Sequence, residues 1–142
     1  MQKTDATTLN KHDFETLADF RYQIRKFLRF SEEVTHRHGI TQLQYLLLLQ
    51  IKGYPGRDWA TVGELAERLQ AQPHGVVALI SRCEKQGFLE RRRSSEDRRQ
   101  IEIHLQPNGE EVLEQLARLH KTELLSLNNR FVVPDIRAFG QA

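Results

Sequence analysis

The stretch TVGELAERLQAQPHGVVALISRCEKQGFLERRRSSEDRRQIEIHL, residues 61–105, decides the fold. It opens with Thr61 and Glu64 at the spacing of a capping box, in which side chain and backbone at a helix start satisfy each other's free amides. Val62, Leu65, Ala66 and Leu69 follow at i, i+3, i+4 and i+7, so a short amphipathic helix is expected. Gln70 and Ala71 leave room only for a tight connection before Pro73, whose fixed φ suits the first position of a further helix. That helix should run to about Gln86 and close at Gly87. Val76, Leu79, Ile80 and Cys83 form its apolar stripe, while His74, Ala78, Ser81 and Lys85 point the other way. After Gly87 the period falls from that of a helix to that of a strand. Phe88–Arg92 and Gln100–Leu105 are expected strands, the second with Ile101, Ile103 and Leu105 inward and Glu102 and His104 outward. The polar run from Arg93 to Arg99 would form the tip of their hairpin.

Outward from this stretch the pattern is helical. Phe14, Leu17, Phe20, Ile24, Phe27, Leu28 and Val34 recur at helical spacing over residues 14–38, and Gly39 ends that helix. Thr41 and Gln44 make a second capping box, opening a helix that Gly53 closes. Its four consecutive leucines, Leu46 to Leu49, must be apolar on nearly every side, which marks the central core helix. Residues 53–58 read as a loop. Pro107 begins a last long helix with the stripe Leu113, Leu116, Ala117, His120, Leu124 and Leu127, more than one small core requires. The tail from Phe131 to Ala142, interrupted by Pro134, reads as a short extra helix or a loose end. With no repeat or low-complexity linker, one domain over 1–142 is expected.

Composition narrows the function. At 142 residues, 39% hydrophobic and 28% charged, the chain has enough apolar content for one folded domain and is not disordered. The longest apolar run, Tyr45–Leu49, is far too short to span a bilayer. Residues 1–10 are polar and read as no secretory signal, so a cytoplasmic location is expected. One cysteine, Cys83, excludes an intramolecular disulfide and a thiolate-rich metal site. Net charge is +2, but residues 68–99 hold eight basic against four acidic side chains, +4, leaving 13 against 15, −2, elsewhere. A basic patch on a nearly neutral scaffold suits a polyanion.

Two short helices joined by a tight turn and followed at once by a basic hairpin make a winged helix-turn-helix. The expected class is mostly α with a small β-hairpin wing (α+β), flanked by N- and C-terminal dimerisation helices. A helix about 10–12 Å across fits the major groove, about 12 Å wide. A wing reaching along the backbone brings an arginine to the adjacent minor groove.

From about Phe20 to Leu119 the chain resembles the multiple antibiotic resistance regulator (MarR) family of bacterial transcription factors. The resemblance is carried by Val62–Leu69, by Glu84–Arg91, and by Asp97-Arg98-Arg99 followed by Ile101, Ile103, Leu105 and Gly109. It implies a transcriptional regulator of double-stranded DNA, most simply a repressor, acting as a homodimer on a near-palindromic operator and released by a small aromatic or phenolic acid. It also implies an organisation into an N-terminal dimerisation helix over 14–38, a DNA-binding core over 41–105 and a C-terminal dimerisation region over 107–142. Position by position, the family pattern makes Arg99 the minor-groove finger, Asp97 the side chain that orients it, and Arg98 a phosphate contact beside them. Ser81, Arg82 and Lys85 would also meet phosphates, and Gln72, His74, Gly75, Val77 and Ala78 would read bases.

The chain departs from its relatives on this surface. His74, Gly75, Val77 and Ala78 stand where serine, threonine or arginine is frequent, so thymine methyl contacts and DNA shape should carry more specificity, and an A·T-rich operator is expected. Gln70 replaces a frequent turn glycine. Gln106 replaces a capping threonine, a loss of about 1 kcal/mol. Pro134 in a short tail shifts the expected dimer contact toward residues 14–30.

Several residues admit two readings. Cys83 is a redox switch or, as its apolar stripe favours, a packed thiol. His120 pairs across a dimer or is a satisfied interface histidine. Arg21, Tyr22, His38, Tyr45 and Trp59 line an effector pocket or belong to ordinary packing. No phosphate loop, nucleophile elbow or metal-ligand spacing appears, so no catalytic residue, metal or cofactor is expected. The rival to DNA binding is a winged helix used for protein–protein assembly, which needs no arginines at the wing tip.

Overall fold

The computed structural model describes residues 8–127, 132–135, 137 and 139–140. Much of the tail expectation over 131–142 therefore lies outside the described residues. The order is α1 (Lys11–Arg37), α2 (Gln42–Lys52), β1 (Trp59–Thr61), α3 (Val62–Leu69), α4 (Pro73–Lys85), β2 (Leu89–Arg93), β3 (Ile101–Leu105) and α5 (Pro107–Ser126). It is a mostly helical winged helix-turn-helix with one small antiparallel sheet.

Helix starts follow local chemistry. The expected boxes at Thr41/Gln44 and Thr61/Glu64 both form, with side chain and backbone bonded in each direction. A third box, Asn10 with Asp13, starts α1 earlier than the apolar spacing suggests. Pro73 and Pro107 occupy first turns as expected, and neither α4 nor α5 has a side-chain cap at its start. Gln106 instead hydrogen-bonds Glu90.

The core is built around α2. Leu47, Leu48 and Ile51 are fully buried, joined by Leu65 of α3, Ile80 and Cys83 of α4, Leu89 and Ile103 of the sheet and Leu116 of α5. Each such aliphatic side chain contributes about 1.5–3 kcal/mol by leaving water. Leu43, at the start of α2, is the exception and stays exposed.

The sheet has three strands, ordered β1-β3-β2, where the sequence pattern suggested two. Trp59 pairs with His104, Ala60 with Ile103 and Thr61 with Glu102. Three residues are too few to show a period of two, and the third strand covers what would otherwise be an open edge of β3. Ile101 shares the inward face with buried Ile103 yet is 41% exposed, correcting its expected burial. It sits opposite Arg93, one residue past the last pairing of β1 with β3. The base of the wing is held by Gly109 on α5. A Cβ there would lie 2.0 Å from the Phe88 carbonyl oxygen, so only glycine permits this approach.

Beyond the core, α1 and α5 keep apolar groups in the open. Phe14, Leu17 and Leu28 of α1 and Leu119, Leu124 and Leu125 of α5 are exposed. No helix among the described residues is long and apolar enough to cross a membrane.

Candidate nucleic-acid interface

The tight turn between α3 and α4 bends at Gln70, whose φ of 51° and ψ of 48° are left-handed. A residue with a Cβ is strained there by about 1–2 kcal/mol. Gln70 offsets part of this by donating its side-chain amide to the Glu67 carbonyl at 2.8 Å, a bond the more usual glycine cannot make. The start of α3 is fixed by Glu64, which bonds Thr61 and pairs with Arg57. Burial pushes the Glu64 carboxyl up, but hydrogen bonds from Tyr54 and Thr61 and the Arg57 charge together outweigh it and hold it below its ordinary value. The Arg57 guanidinium lies between the rings of Tyr54 and Trp59, at 4.4 and 3.9 Å from their centroids.

With α3 and the turn set, α4 buries Val76, Ile80 and Cys83 and turns Gln72, His74, Gly75, Val77, Ala78, Arg82 and Lys85 outward. The expected stripe is buried except for Leu79, which is half-buried, and of the expected open face His74, Ala78 and Lys85 are exposed while Ser81 is half-buried. Val77 is 42% exposed, an apolar group facing water at the middle of this face. Cys83 is fully buried, and loss of solvent pushes its thiol up to about 11. The reactive thiolate is therefore scarce at neutral pH, which favours the packing reading over the redox one.

The wing tip is organised by Ser94, a buried residue the sequence reading did not single out. Its hydroxyl accepts the amides of Glu96 and Asp97 at 3.2 and 3.3 Å, and its own amide bonds the Gln100 carbonyl at 2.9 Å. A serine followed two and three residues later by the acids of a hairpin tip was the available signal. Asp97 then accepts the backbone amide of Arg99 at 3.0 Å, so it fixes the arginine's backbone. Arg98 and Arg99 are exposed. Arg99, Asp97, Gln100 and Ile101 line an open cleft of 440 Å³ whose other wall is Thr61, Val62 and Gly63 at the start of α3.

The basic run is not uniform. Arg91 and Arg92 pair with Glu84 and Glu90. The side chains of Arg82, Lys85, Arg93, Arg98 and Arg99 have no partner among the described residues. Ser81 is half-buried and its hydroxyl accepts from Arg91 at 3.0 Å, so it is engaged within the chain.

Two glycines stand out on the same face. Six of the chain's eight glycines have an internal reason, either left-handed backbone or a close backbone neighbour. Gly63 and Gly75, in the first turns of α3 and α4, have neither. Both are exposed, and an added Cβ at either would meet nothing within 4 Å.

The five residues expected at an effector pocket lie in different surroundings. Arg21 and Tyr22 are exposed on α1, with Lys26 over the Tyr22 ring. His38 bonds the Val34 carbonyl at 2.9 Å. Tyr45 is buried and stacked on His120 at 4.5 Å, and Trp59 stacks on His104 at 6.0 Å. Ring packing already occupies Tyr45 and Trp59. His120 is satisfied inside one chain, between the Leu116 carbonyl at 2.7 Å and the Ser31 hydroxyl at 2.8 Å, so it has no nitrogen left for pairing across a dimer. No group of His, Cys, Asp and Glu that could hold a metal occurs among the described residues.

Comparison with known proteins agrees with this architecture. A family model described as MarR family matches residues 38–100. YsmB of Bacillus subtilis (strain 168), an uncharacterized HTH-type transcriptional regulator, is 26% identical over 132 residues, 90% of this chain and 88% of that protein. AbsC, a MarR family transcriptional regulator from Streptomyces coelicolor, superposes with a TM-score of 0.74 at 19% identity, over 89% of this chain and 85% of that one. A point mutant of S. aureus MepR bound to an oligodeoxyribonucleotide gives a TM-score of 0.65 at 19% identity, over 80% and 81%. At these identities the solved structures establish a shared fold.

Proposed function

We propose that the chain belongs to the MarR family, whose model matches residues 38–100, and that it binds double-stranded DNA as a homodimer and represses transcription. The observation that carries this reading is the set of exposed cations on α4 and the wing. Arg82, Lys85, Arg93, Arg98 and Arg99 are exposed there without partners among the described residues, and α4 adds the exposed, uncharged Gln72, His74, Gly75, Val77 and Ala78. Unpaired cations meet phosphates, while short and apolar groups allow close approach to base edges and thymine methyls. Arg99, held by its backbone at the wing tip, is the minor-groove finger, and Arg98 meets the adjacent phosphates.

In this reading 41–105 is the DNA-binding core, and 14–38 with 107–142 are the dimerisation regions. The exposed apolar groups of α1 and α5 support that division, because such surface on long helices is normally covered by a partner. A two-fold dimer places its recognition helices in successive major grooves, so half-sites about one helical turn apart, roughly 34–36 Å, are expected. Occupancy of such a site excludes other proteins from the same duplex, which is repression in its simplest form. No catalytic step belongs to the proposal.

Footprinting of the purified chain on genomic DNA tests it, with and without small aromatic acids to test release. Two protected patches one turn apart are expected. Arg99→Ala should lower operator affinity at least tenfold with the fold intact, as read by circular dichroism. Unchanged affinity would remove the minor-groove role. A winged helix used only for protein assembly would give no footprint at all.

A further inference from the structure

We propose that Arg91 is a positioning residue for duplex binding, locking the wing to the recognition helix so that both meet one duplex at a fixed separation. The inference rests on the DNA-binding reading above. Arg91 lies on the inward side of β2, on the same rung as Ile103 and Ala60, both fully buried. An apolar side chain would be the ordinary occupant of such a rung. The guanidinium instead reaches α4, where Nη1 donates to Glu84 Oε1 at 2.9 Å and Nη2 to Ser81 Oγ at 3.0 Å. The Arg91 amide adds a bond to Glu84 Oε2 at 3.3 Å.

Ser81 and Glu84 are three residues apart, so they lie on one side of α4 and fasten it at two points. Charge-assisted bonds of this kind are among the stronger ones available to side chains. Arg91 differs from the other wing arginines in this respect. Arg92 pairs within its own strand, with Glu90, and Arg93, Arg98 and Arg99 have no partner among the described residues. A two-stranded ribbon is pliant by itself, and β1 pairs with β3 only as far as Glu102, so the end that carries Ile101 is two-stranded. Without the lock, the wing and α4 would each have to be ordered when DNA binds, and that ordering subtracts from affinity.

The test measures binding of the full chain to a fluorescent duplex carrying the footprinted site, over a range of salt, for wild type, Arg91→Gln, Glu84→Ala, Arg99→Ala and Arg91→Gln with Arg99→Ala. Arg91→Gln and Glu84→Ala should each weaken binding roughly tenfold, while the slope of log K against log salt stays at its wild-type value because no phosphate contact is lost. Arg99→Ala should cost several-fold less in the Arg91→Gln background than alone, since an unlocked wing no longer delivers its finger. Glu84→Ala keeps the question open to measurement if Arg91→Gln fails to fold. A slope reduced by about one in Arg91→Gln would make Arg91 a direct phosphate contact and overturn the proposal. So would unchanged or tighter binding by Glu84→Ala, which frees the guanidinium, or an Arg99 effect equal in both backgrounds. If the wild-type chain binds no duplex, the DNA-binding reading fails and this inference falls with it.

Discussion

Between residues 41 and 105 the described chain exposes three large apolar side chains, Leu43, Val77 and Ile101, two of them on α4 and the wing. In α1, α5 and the described residues that flank them, ten are exposed, including Phe14, Leu17, Leu28, Leu124 and Leu125. The first region supplies most of the core around α2, and Val77 and Ile101 lie on the elements that carry the exposed arginines. The second supplies Val34, Leu113 and Leu116 to that core and leaves the rest of its apolar face uncovered. One region carries most of the buried core, and its exposed face is the proposed recognition surface. The other leaves apolar surface that the proposed dimer would cover.

The comparison can be broken most severely at the long helices. Phe14→Glu together with Leu125→Glu should convert a dimer to monomer in sedimentation and lower operator affinity by more than a hundredfold, because two half-sites no longer act as one. Thermal unfolding of the isolated chain should change little, since both positions are exposed. A dimer that survives this double change would mean the uncovered faces are not its interface. The opposite behaviour is expected in the core. Leu48→Ala should cost about 2–5 kcal/mol of stability by leaving a cavity at a fully buried site, measured by urea unfolding.

Gly75→Ala sharpens the contrast within the first region. Nothing in the chain obstructs a methyl there, so alanine should stabilise by up to about 1 kcal/mol. If the glycine serves close approach to the duplex, operator affinity should fall several-fold at the same time. Stability and affinity rising together would exclude that role. The smallest effect is expected at Gln106, where the start of α5 lacks a side-chain cap. Gln106→Ser should add about 0.5–1 kcal/mol in the same unfolding experiment with no change in DNA binding.

What could be read from the sequence was what neighbours along the chain decide. Thr41/Gln44, Thr61/Glu64, Pro73 and the stripe Val76, Leu79, Ile80 and Cys83 act within three or four residues, and each appears in the structure as its spacing implies, save that Leu79 is half-buried. The turn at Gln70 was legible in place, though its side-chain bond to Glu67 was not. Distant contacts escaped. β1 pairs with the second edge of β3, Ile101 is exposed past the last of those pairings, and Arg91 is fastened to a helix that precedes it. A basic run looks uniform as a string of letters. Only the fold separates Arg91 and Arg92, already neutralised, from Arg93, Arg98 and Arg99. The effector set was a list of aromatic residues near charges, and packing distributed its members among different neighbours.

The most direct test of the central claim is the salt dependence of duplex binding by the full chain. If the unpaired cations of α4 and the wing meet phosphates, affinity should fall by orders of magnitude between roughly 50 and 200 mM salt, along a straight line in log K against log salt. A flat line, with binding unaffected over that range, would contradict it.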